Sequence, residues 1–291
     1  MNHFRNIGII GRRQSDKALE TVRVLKKFLR EKQLNIFISA DISELLSDVD
    51  VQVCNYAQMG ESCDLVIVVG GDGCLLSAAR ALVRYKVPLL GINRGHLGFL
   101  ADISPEEIEQ KISEVLTGRF IREQRFLLDM SVRRDGMVIC EGHALNDIVI
   151  NRGKSVRMVE LELYIDGDFV YRQRSDGLIV STPTGSTAYA LSGGGPIMHP
   201  KLDAIVLVPM FPHTLSGRPI VVSGSSEIKI VVSPATAVNP QVNCDGQPGI
   251  DVAPHDVIAI SKKPHKLELI HPLSYSFYEA CRSKLGWSSI L

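Results

Sequence analysis

The sequence predicts an α/β domain built on a parallel sheet, followed by an antiparallel β-sandwich domain. Three observations lead there. Up to about residue 122, short apolar runs alternate with helical patterns, and strands that are apolar throughout suit a parallel sheet covered on both faces. Beyond that point short strand-like runs dominate, and Asp135-Gly136 and Asp166-Gly167 each sit between two of them. Asp-Gly favours a two-residue hairpin because both turn residues need positive φ. Finally, 291 residues exceed one ordinary core, and a 45% hydrophobic content is enough to fill two.

Taken in order, residues 7–10 form the first expected strand. Ser15 caps a helix whose apolar stripe is Ala18, Val22, Leu25 and Leu29. Residues 34–38 give a second strand and residues 65–69, almost wholly β-branched, a third. A helix is expected over 75–85 and a strand over 89–92. Ser104-Pro105-Glu106-Glu107 opens another helix, with Ser as cap, Pro at the first position and Glu at the third. That helix stops near Gly118. In the second half, strands are expected at 127–133, 138–141, 147–150, 158–165, 169–172, 205–209 and 228–232. No internal repeat or low-complexity linker interrupts the chain. The expected domains are residues 1–122 and 123–272, and residues 273–291 have helical spacing.

Lys plus Arg and Asp plus Glu each number 32, so the formal net charge is zero. Nothing in that balance recruits nucleic acid or an anionic membrane. No stretch approaches the ~20 apolar residues of a membrane span, and residues 1–8 hold no apolar run of signal-peptide length. Cys54, Cys63, Cys74, Cys140, Cys244 and Cys281 are scattered without a C-x-x-C pair. They read as free thiols of a reducing compartment, and a cytoplasmic location is expected. The eight histidines show no ligand spacing and read as structural or surface residues.

The chemistry concentrates in a few places. The apolar run at 65–69 ends in Gly70-Gly71-Asp72-Gly73, and a helix follows. Ligands bind beyond the carboxyl ends of strands in open α/β sheets. Glycines admit a phosphate to the backbone, and a helix start offers free N–H groups. A carboxylate there repels phosphate unless a cation or a reacting hydroxyl proton offsets it, so Asp72 suggests metal binding or general-base work. A plain tight turn is the competing reading. Two rival phosphate motifs fail. Gly71-x-Gly73 would need glycine at Leu76 to match the dinucleotide fingerprint. Gly153-Lys154-Ser155 would need glycine at Ile148 for a P-loop, and it lies among hairpins. A second cluster, rich in hydroxyls and glycine, runs from Arg174-Ser175-Asp176-Gly177 through residues 181–192 to Gly193-Gly194-Gly195-Pro196. Within it Tyr189 offers a flat ring face. Asn146-Asp147 stands in an otherwise apolar run at 144–150, where alternation turns at least one of the pair toward a core or a site. Asp245-Gly246-Gln247 reads as a turn.

Together these residues resemble one family over nearly the whole chain, the NAD kinases, and within it the enterobacterial-type enzymes. Gly70-Gly71-Asp72-Gly73, Asn146-Asp147, Thr182-Pro183-Thr184-Gly185-Ser186-Thr187-Ala188-Tyr189 and Asp245-Gly246-Gln247 follow in the family's order and spacing. The segments at 91–100 and 209–216 are also similar to that family. The resemblance implies ATP-dependent phosphorylation of the adenosine ribose 2′-hydroxyl of NAD to NADP, with a divalent metal cation, Mg2+ or Mn2+. It implies Asp72 as base and Gly73 beside phosphate. Asn146 and Asp147 would bind the adenosine half, and Arg174 and Asp176 would lie nearer the nicotinamide half. Thr187, Ala188, Tyr189, Ala190, Leu191 and Ser192 would line the NAD site, with Gln247 closing it. Arg157 carries over from the strand after the Asn–Asp pair. The second member of that pair is often Glu in the family, and Asp147 keeps the carboxylate with a shorter reach. The metal ligands stay unassigned. The family fold is an α/β domain with a β-sandwich domain, its last segment often returning to the first domain, as residues 273–291 could. The resemblance further implies a homo-oligomer, a tetramer, with NAD and ATP as substrates. Two alternatives are a small-alcohol or lipid kinase sharing only the first domain, and an NAD-binding regulator without catalysis.

Overall fold

A computed structural model describes residues 3–12, 15–44, 51–94 and 98–287. The chain falls into two compact units, one comprising residues up to Gln124 together with those from His265 onward, the other Arg125–Pro264. In chain order the first elements are β1 (Asn6–Gly11), α1 (Asp16–Glu31), β2 (Asn35–Ser39), α2 (Ala40–Ser43), β3 (Gln52–Cys54), α3 (Tyr56–Ser62), β4 (Leu65–Gly70), α4 (Asp72–Leu82), β5 (Leu89–Asn93) and α5 (Ile108–Leu116). There follow β6 (Phe120–Arg134), β7 (Met137–Ala144), β8 (Asp147–Asn151), β9 (Val159–Ile165), β10 (Asp168–Ser175), β11 (Gly177–Ser181), α6 (Tyr189–Ser192) and β12 (Ala204–Met210). The last are β13 (Ile220–Ser223), β14 (Ile228–Val232), β15 (Gln241–Cys244), β16 (Ile250–Asp251), β17 (Val257–Pro272) and α7 (Phe277–Leu285).

In the first unit a parallel sheet runs β5-β4-β1-β2-β3, and β17 joins β5 through the pair Leu269 and Leu89. β4 and β5 are buried at every position, as the unbroken apolar runs predict. Ser15 caps α1 by accepting the Ala18 N–H at 3.3 Å, and the expected stripe of Ala18, Val22, Leu25 and Leu29 is buried. These side chains pack with Ile7, Ile9, Ile67, Val69, Ile108, Ile112 and Ile270 into one core. α4 begins at Asp72, three residues before the expected start. Before α5, Pro105–Glu107 forms a 3₁₀ turn, and the Ser104 hydroxyl donates to the Glu107 carboxylate at 2.8 Å rather than capping a backbone N–H. The C-terminal stretch of this unit starts at His265, inside β17, rather than at Leu273. α7 is capped by Ser276 and stopped by Gly286 at φ +67°. The rest of the expected helical spacing, at 288–291, lies outside the described residues.

The second unit is a sandwich of antiparallel pairings. One sheet contains β10, β9, β14 and β17 in that order, with the β6–β7 hairpin; the other runs β13-β12-β11-β8-β15-β16. Asp135 and Gly136 both have positive φ and link Arg134 to its partner Met137. Asp166 and Gly167 do the same between Ile165 and Asp168. Alternate residues of both sheets, including Leu128, Leu161, Leu163, Ile230 and Ile258 from one and Ile148, Ile150, Val180 and Leu207 from the other, form the core between them. Residues 144–150 are not one strand as expected. β7 ends at Ala144 and β8 starts at Asp147, so strand alternation does not govern Asn146. Among the described residues no helix is long and apolar enough to cross a membrane.

Candidate active site

In the first unit β4 delivers the chain to Gly71 in an extended conformation, and α4 starts at once. A Cβ on Gly70 would come within 2.8 Å of the Cys74 Cβ, so glycine lets the turn close on the helix. Gly71 and Gly73 have no such constraint. A Cβ on either would meet no protein atom within 4 Å. The space beyond them is open, beside the free N–H groups of a helix start.

Asp72 is the first residue of α4, where the helix dipole favours a carboxylate. Its Oδ2 accepts the backbone N–H of Phe99 at 3.0 Å, and its Oδ1 accepts those of Leu100 and Ala101 at 3.2 and 3.3 Å. Three amides from one short segment fix its orientation. The segment fits because residue 98 is glycine; a Cβ there would collide with Asp72 Oδ1 and lie 3.0 Å from its Cγ. Arg94, after β5, donates its backbone N–H to Gly70 O at 3.2 Å and its guanidinium to Lys17 O and Glu20 at 2.8 and 3.1 Å.

In the second unit Asn146 and Asp147 are seated by Asp245. That carboxylate accepts the N–H groups of Leu145, Asn146 and Asp147 at 3.0, 2.8 and 3.2 Å. The Asp245 N–H returns a 2.9 Å bond to Asp147 O. From the other side the Thr182 hydroxyl donates to Leu145 O at 2.6 Å and the Ser181 hydroxyl to Asn146 O at 3.1 Å. Gly185 packs on Asn146 O so closely that a Cβ would not fit. The buried hydroxyls of Thr182 and Ser186 thus hold a loop rather than a ligand: Thr182 accepts the Gly185 N–H, and Ser186 links Pro183 O to the Met198 N–H.

Asp147 is 4% exposed. Its burial, and then the charge of Asp245, raise its pKa to about 7 against the opposing pull of the Tyr189 N–H. Asn146 Oδ1 is buried without a hydrogen-bond partner, an acceptor waiting for a donor. Tyr189 leaves its ring half exposed at the start of α6, with Thr187 and Ala188 before it and Ala190, Leu191 and Ser192 after it. Gln247 is exposed in the turn that Asp245 opens, its N–H bonded to Cys244 O.

Three expected residues stand apart from this group. Along the β8–β11 ladder Asp147 faces Ser181 and Asn151 faces Gly177. At about 3.3 Å per residue the two ends lie roughly 13 Å apart, and Asp176 is beyond the far one. Asp176 pairs there with Arg152 at 3.2 Å. Arg174 lines a cavity of about 550 Å³ with Arg172, His213 and Arg218. Arg157 is exposed in the loop before β9 and not in a strand. Among the described residues no three His, Cys, Asp or Glu side chains converge as a metal-ligand set.

The motif reading passed over Asp245 as an anchor and residues 98–101 as the clamp on Asp72. Asp245 lies in the Asp245-Gly246-Gln247 turn and Gly98, Phe99 and Leu100 in the family-like segment 91–100, but Ala101 lies just past it; residues 95–97 lie outside the described residues.

Two family models match the chain: the ATP-NAD kinase N-terminal domain over residues 7–120 and the ATP-NAD kinase C-terminal domain over residues 145–272. The second match is not what a kinase sharing only the first domain would give. The chain is 62% identical over 291 residues to the NAD kinase of Azotobacter vinelandii, covering 100% of this chain and 99% of that one. It is also 62% identical to the NAD kinase of Pseudomonas entomophila, covering 98% of that protein. Among solved structures, yeast NADH kinase complexed with NADH superposes with a TM-score of 0.91 at 27% identity, over 100% of this chain and 90% of that one. An Archaeoglobus fulgidus NAD kinase in complex with ATP gives 0.71 at 26% identity, over 97% of each chain.

Proposed function

The chain belongs to the NAD kinase family and is a phosphotransferase with an alcohol acceptor; from that premise we propose how its own residues carry the transfer. ATP gives its terminal phosphoryl group to the 2′-hydroxyl of the adenosine ribose of NAD, leaving NADP and ADP. Asp72 is the general base. The observation that carries this assignment is the state of its carboxylate. Three backbone N–H groups fix it, and of the roughly four lone-pair sites of a carboxylate one on Oδ2 remains. A ribose hydroxyl holds its proton at neutral pH. As its oxygen bonds to phosphorus and the bond to the ADP oxygen breaks, Oδ2 takes that proton. The open space at Gly71 and Gly73 suits phosphates approaching the start of α4.

Asn146 and Asp147 bind the adenosine half, with Asn146 Oδ1 accepting a donor from the ligand. Residues 187–192 line the NAD site, Tyr189 offering its ring, and Gln247 closes it. Arg157, Arg174 and Asp176 complete the set, the last two toward the nicotinamide half. A divalent cation, Mg2+ or Mn2+, would enter with ATP and supply positive charge to offset its phosphates. The protein works in the cytoplasm, which its six free cysteines support. It works as a homotetramer. Edge strand β10 bears the exposed Phe169 and Val170, and an exposed apolar edge invites pairing with another chain.

Purified protein with ATP, Mg2+ and NAD should form NADP. Asp72→Asn keeps the shape but cannot take the proton. It should lower kcat by about 10²–10⁴, or roughly 3–5 kcal/mol of barrier, while NAD binding by calorimetry changes little. A folded variant that binds NAD and turns over within about tenfold of wild type would sink the assignment, because a mere turn residue tolerates Asn.

A further inference from the structure

Residues 98–101, whose amides hold Asp72, are themselves held from behind. A Cβ on Gly91 of β5 would come within 2.7 Å of the Ala101 Cα, so the two backbones are in close contact. Ile103 then bridges to Ile92 of the same strand. Between Ala101 and Ile103 stands Asp102, whose Oδ2 lies 3.0 Å from Nδ1 of His271. His271 comes from the C-terminal part of β17, two residues past the Leu269 that pairs with β5. Its other ring nitrogen, Nε2, faces Oε2 of Glu123 at 3.4 Å, an ion-pair contact too poorly aligned to count as a hydrogen bond. Tyr275 stacks on the ring, with centroids 3.9 Å apart and planes 11° from parallel. The imidazole is 1% exposed and Glu123 5%.

A neutral imidazole has one N–H and can donate to only one of two carboxylates, whereas the imidazolium donates to both. Burial disfavours that cation, but the hydrogen bond to Asp102 and the charges of Asp102 and Glu123 outweigh it and raise the pKa above the ordinary histidine value. Asp102 Oδ1 is buried with no hydrogen bond. The charge on His271 is what makes a carboxylate tolerable there, and removing one partner of a buried pair leaves the other uncompensated.

We propose that His271 is a positioning residue for the phosphoryl transfer: by bridging Asp102 and Glu123 it pins residues 98–102 and so fixes the aim of the Asp72 carboxylate. This rests on Asp72 being the base. Without the bridge Asp102 pulls toward water, the amides of Phe99, Leu100 and Ala101 move with it, and Oδ2 no longer meets the ribose hydroxyl in line. Displacement of a reacting group by about 1 Å can cost 10²-fold in rate.

The test is a double-mutant cycle on the full-length protein with ATP, Mg2+ and NAD. His271→Gln should lower kcat about 10- to 100-fold, leave KM for NAD within twofold, and have no further effect on kcat in an Asp72→Asn background. A role in the fold alone would lower kcat equally in both backgrounds. If His271→Gln does not fold by circular dichroism, Asp102→Asn takes its place in the cycle with the same expected result. Unchanged kcat, a matching rise in KM, or a loss that multiplies through the Asp72→Asn background overturns the proposal. If Asp72→Asn alone retains activity within about tenfold, the base assignment fails first and the proposal falls with it.

Discussion

Gly98 gives the sharpest test of the Asp72 clamp, because the fold asks little of it and the site asks much. Its φ is not in the left-handed region, so alanine brings no backbone strain. The added methyl would instead overlap Asp72 Oδ1. To restore an ordinary C···O separation of roughly 3.3 Å, the carboxylate must move by about 1 Å. While the Ala101 carbonyl, 3.1 Å from the methyl, must yield slightly, the carboxylate is the far end of a short side chain and can rotate away. Doing so breaks hydrogen bonds of 3.0, 3.2 and 3.3 Å, each worth roughly 1.5–3 kcal/mol for a charged acceptor and partly recovered from water. The rate is less forgiving, since a 1 Å error in a reacting group costs about 10²-fold. Gly98→Ala should therefore lower kcat by about two orders of magnitude with an unchanged Kd for NAD, while Tm drops by only a few degrees. The assay is NADP formation read with an NADP-specific dehydrogenase, alongside calorimetry and a thermal melt. Turnover within threefold of wild type at unchanged Tm would mean that the aim of Asp72 does not limit the reaction.

Asp147→Ala should raise KM for NAD more than it lowers kcat; an unchanged KM with a collapsed kcat would remove Asp147 from the binding role. Asp147 also makes stability depend on pH. Its carboxyl lies at about 7 in the folded protein against 3.8 for an ordinary aspartate, so between those values the native state keeps a proton that the unfolded state has lost, and stability falls as pH rises. In Asp147→Asn that slope disappears, and the variant's Tm advantage should grow between pH 4 and pH 7, by on the order of a few degrees, then level off. A flat difference across that range would contradict the burial argument. Light scattering at micromolar concentration should report a tetramer, and a monomer would count against the edge-strand reasoning.

The parts of the fold that could be read in the sequence were those whose cause is local. β4 and β5 announced themselves as unbroken apolar runs, and the two Asp-Gly turns as hairpins, because backbone conformation and burial there depend on a few adjacent residues. α3 could have been found too, since Asn55 and Gln58 form a reciprocal capping box, a pattern visible in the spacing. β11 is hidden because it opens on Gly177, the last residue of the Ser175-Asp176-Gly177 cluster. β17 was hidden by Lys262, Lys263, His265 and Lys266, which interrupt its apolar pattern. The start of α4 is obscured because Asp72 and Gly73 carry no apolar signal, although an acidic first turn is favourable. At the site, residue types were legible and partnerships were not. Asp245 looks like a turn residue until its carboxylate is seen across about a hundred residues of chain from the amides it holds. Gly98 and Gly185 owe their identity to Asp72 and Asn146, neighbours that no local pattern names. The His271 bridge joins residues from three distant segments and offers no spacing to read.

The order of the two units along the chain has a consequence for biosynthesis. Arg125–Pro264 is one uninterrupted stretch, whereas the other unit is written in two pieces on either side of it. A ribosome therefore delivers the complete sandwich before it delivers the last strand of the parallel sheet. The sandwich can fold as soon as it emerges, since domains generally fold as units during synthesis. The parallel sheet must wait, with β5 unpaired by β17 and Asp102 without His271, until the residues beyond Pro264 arrive. A chain made only as far as Pro264 thus carries every residue proposed to touch substrate and still lacks His271, the residue proposed to set Asp72 in place.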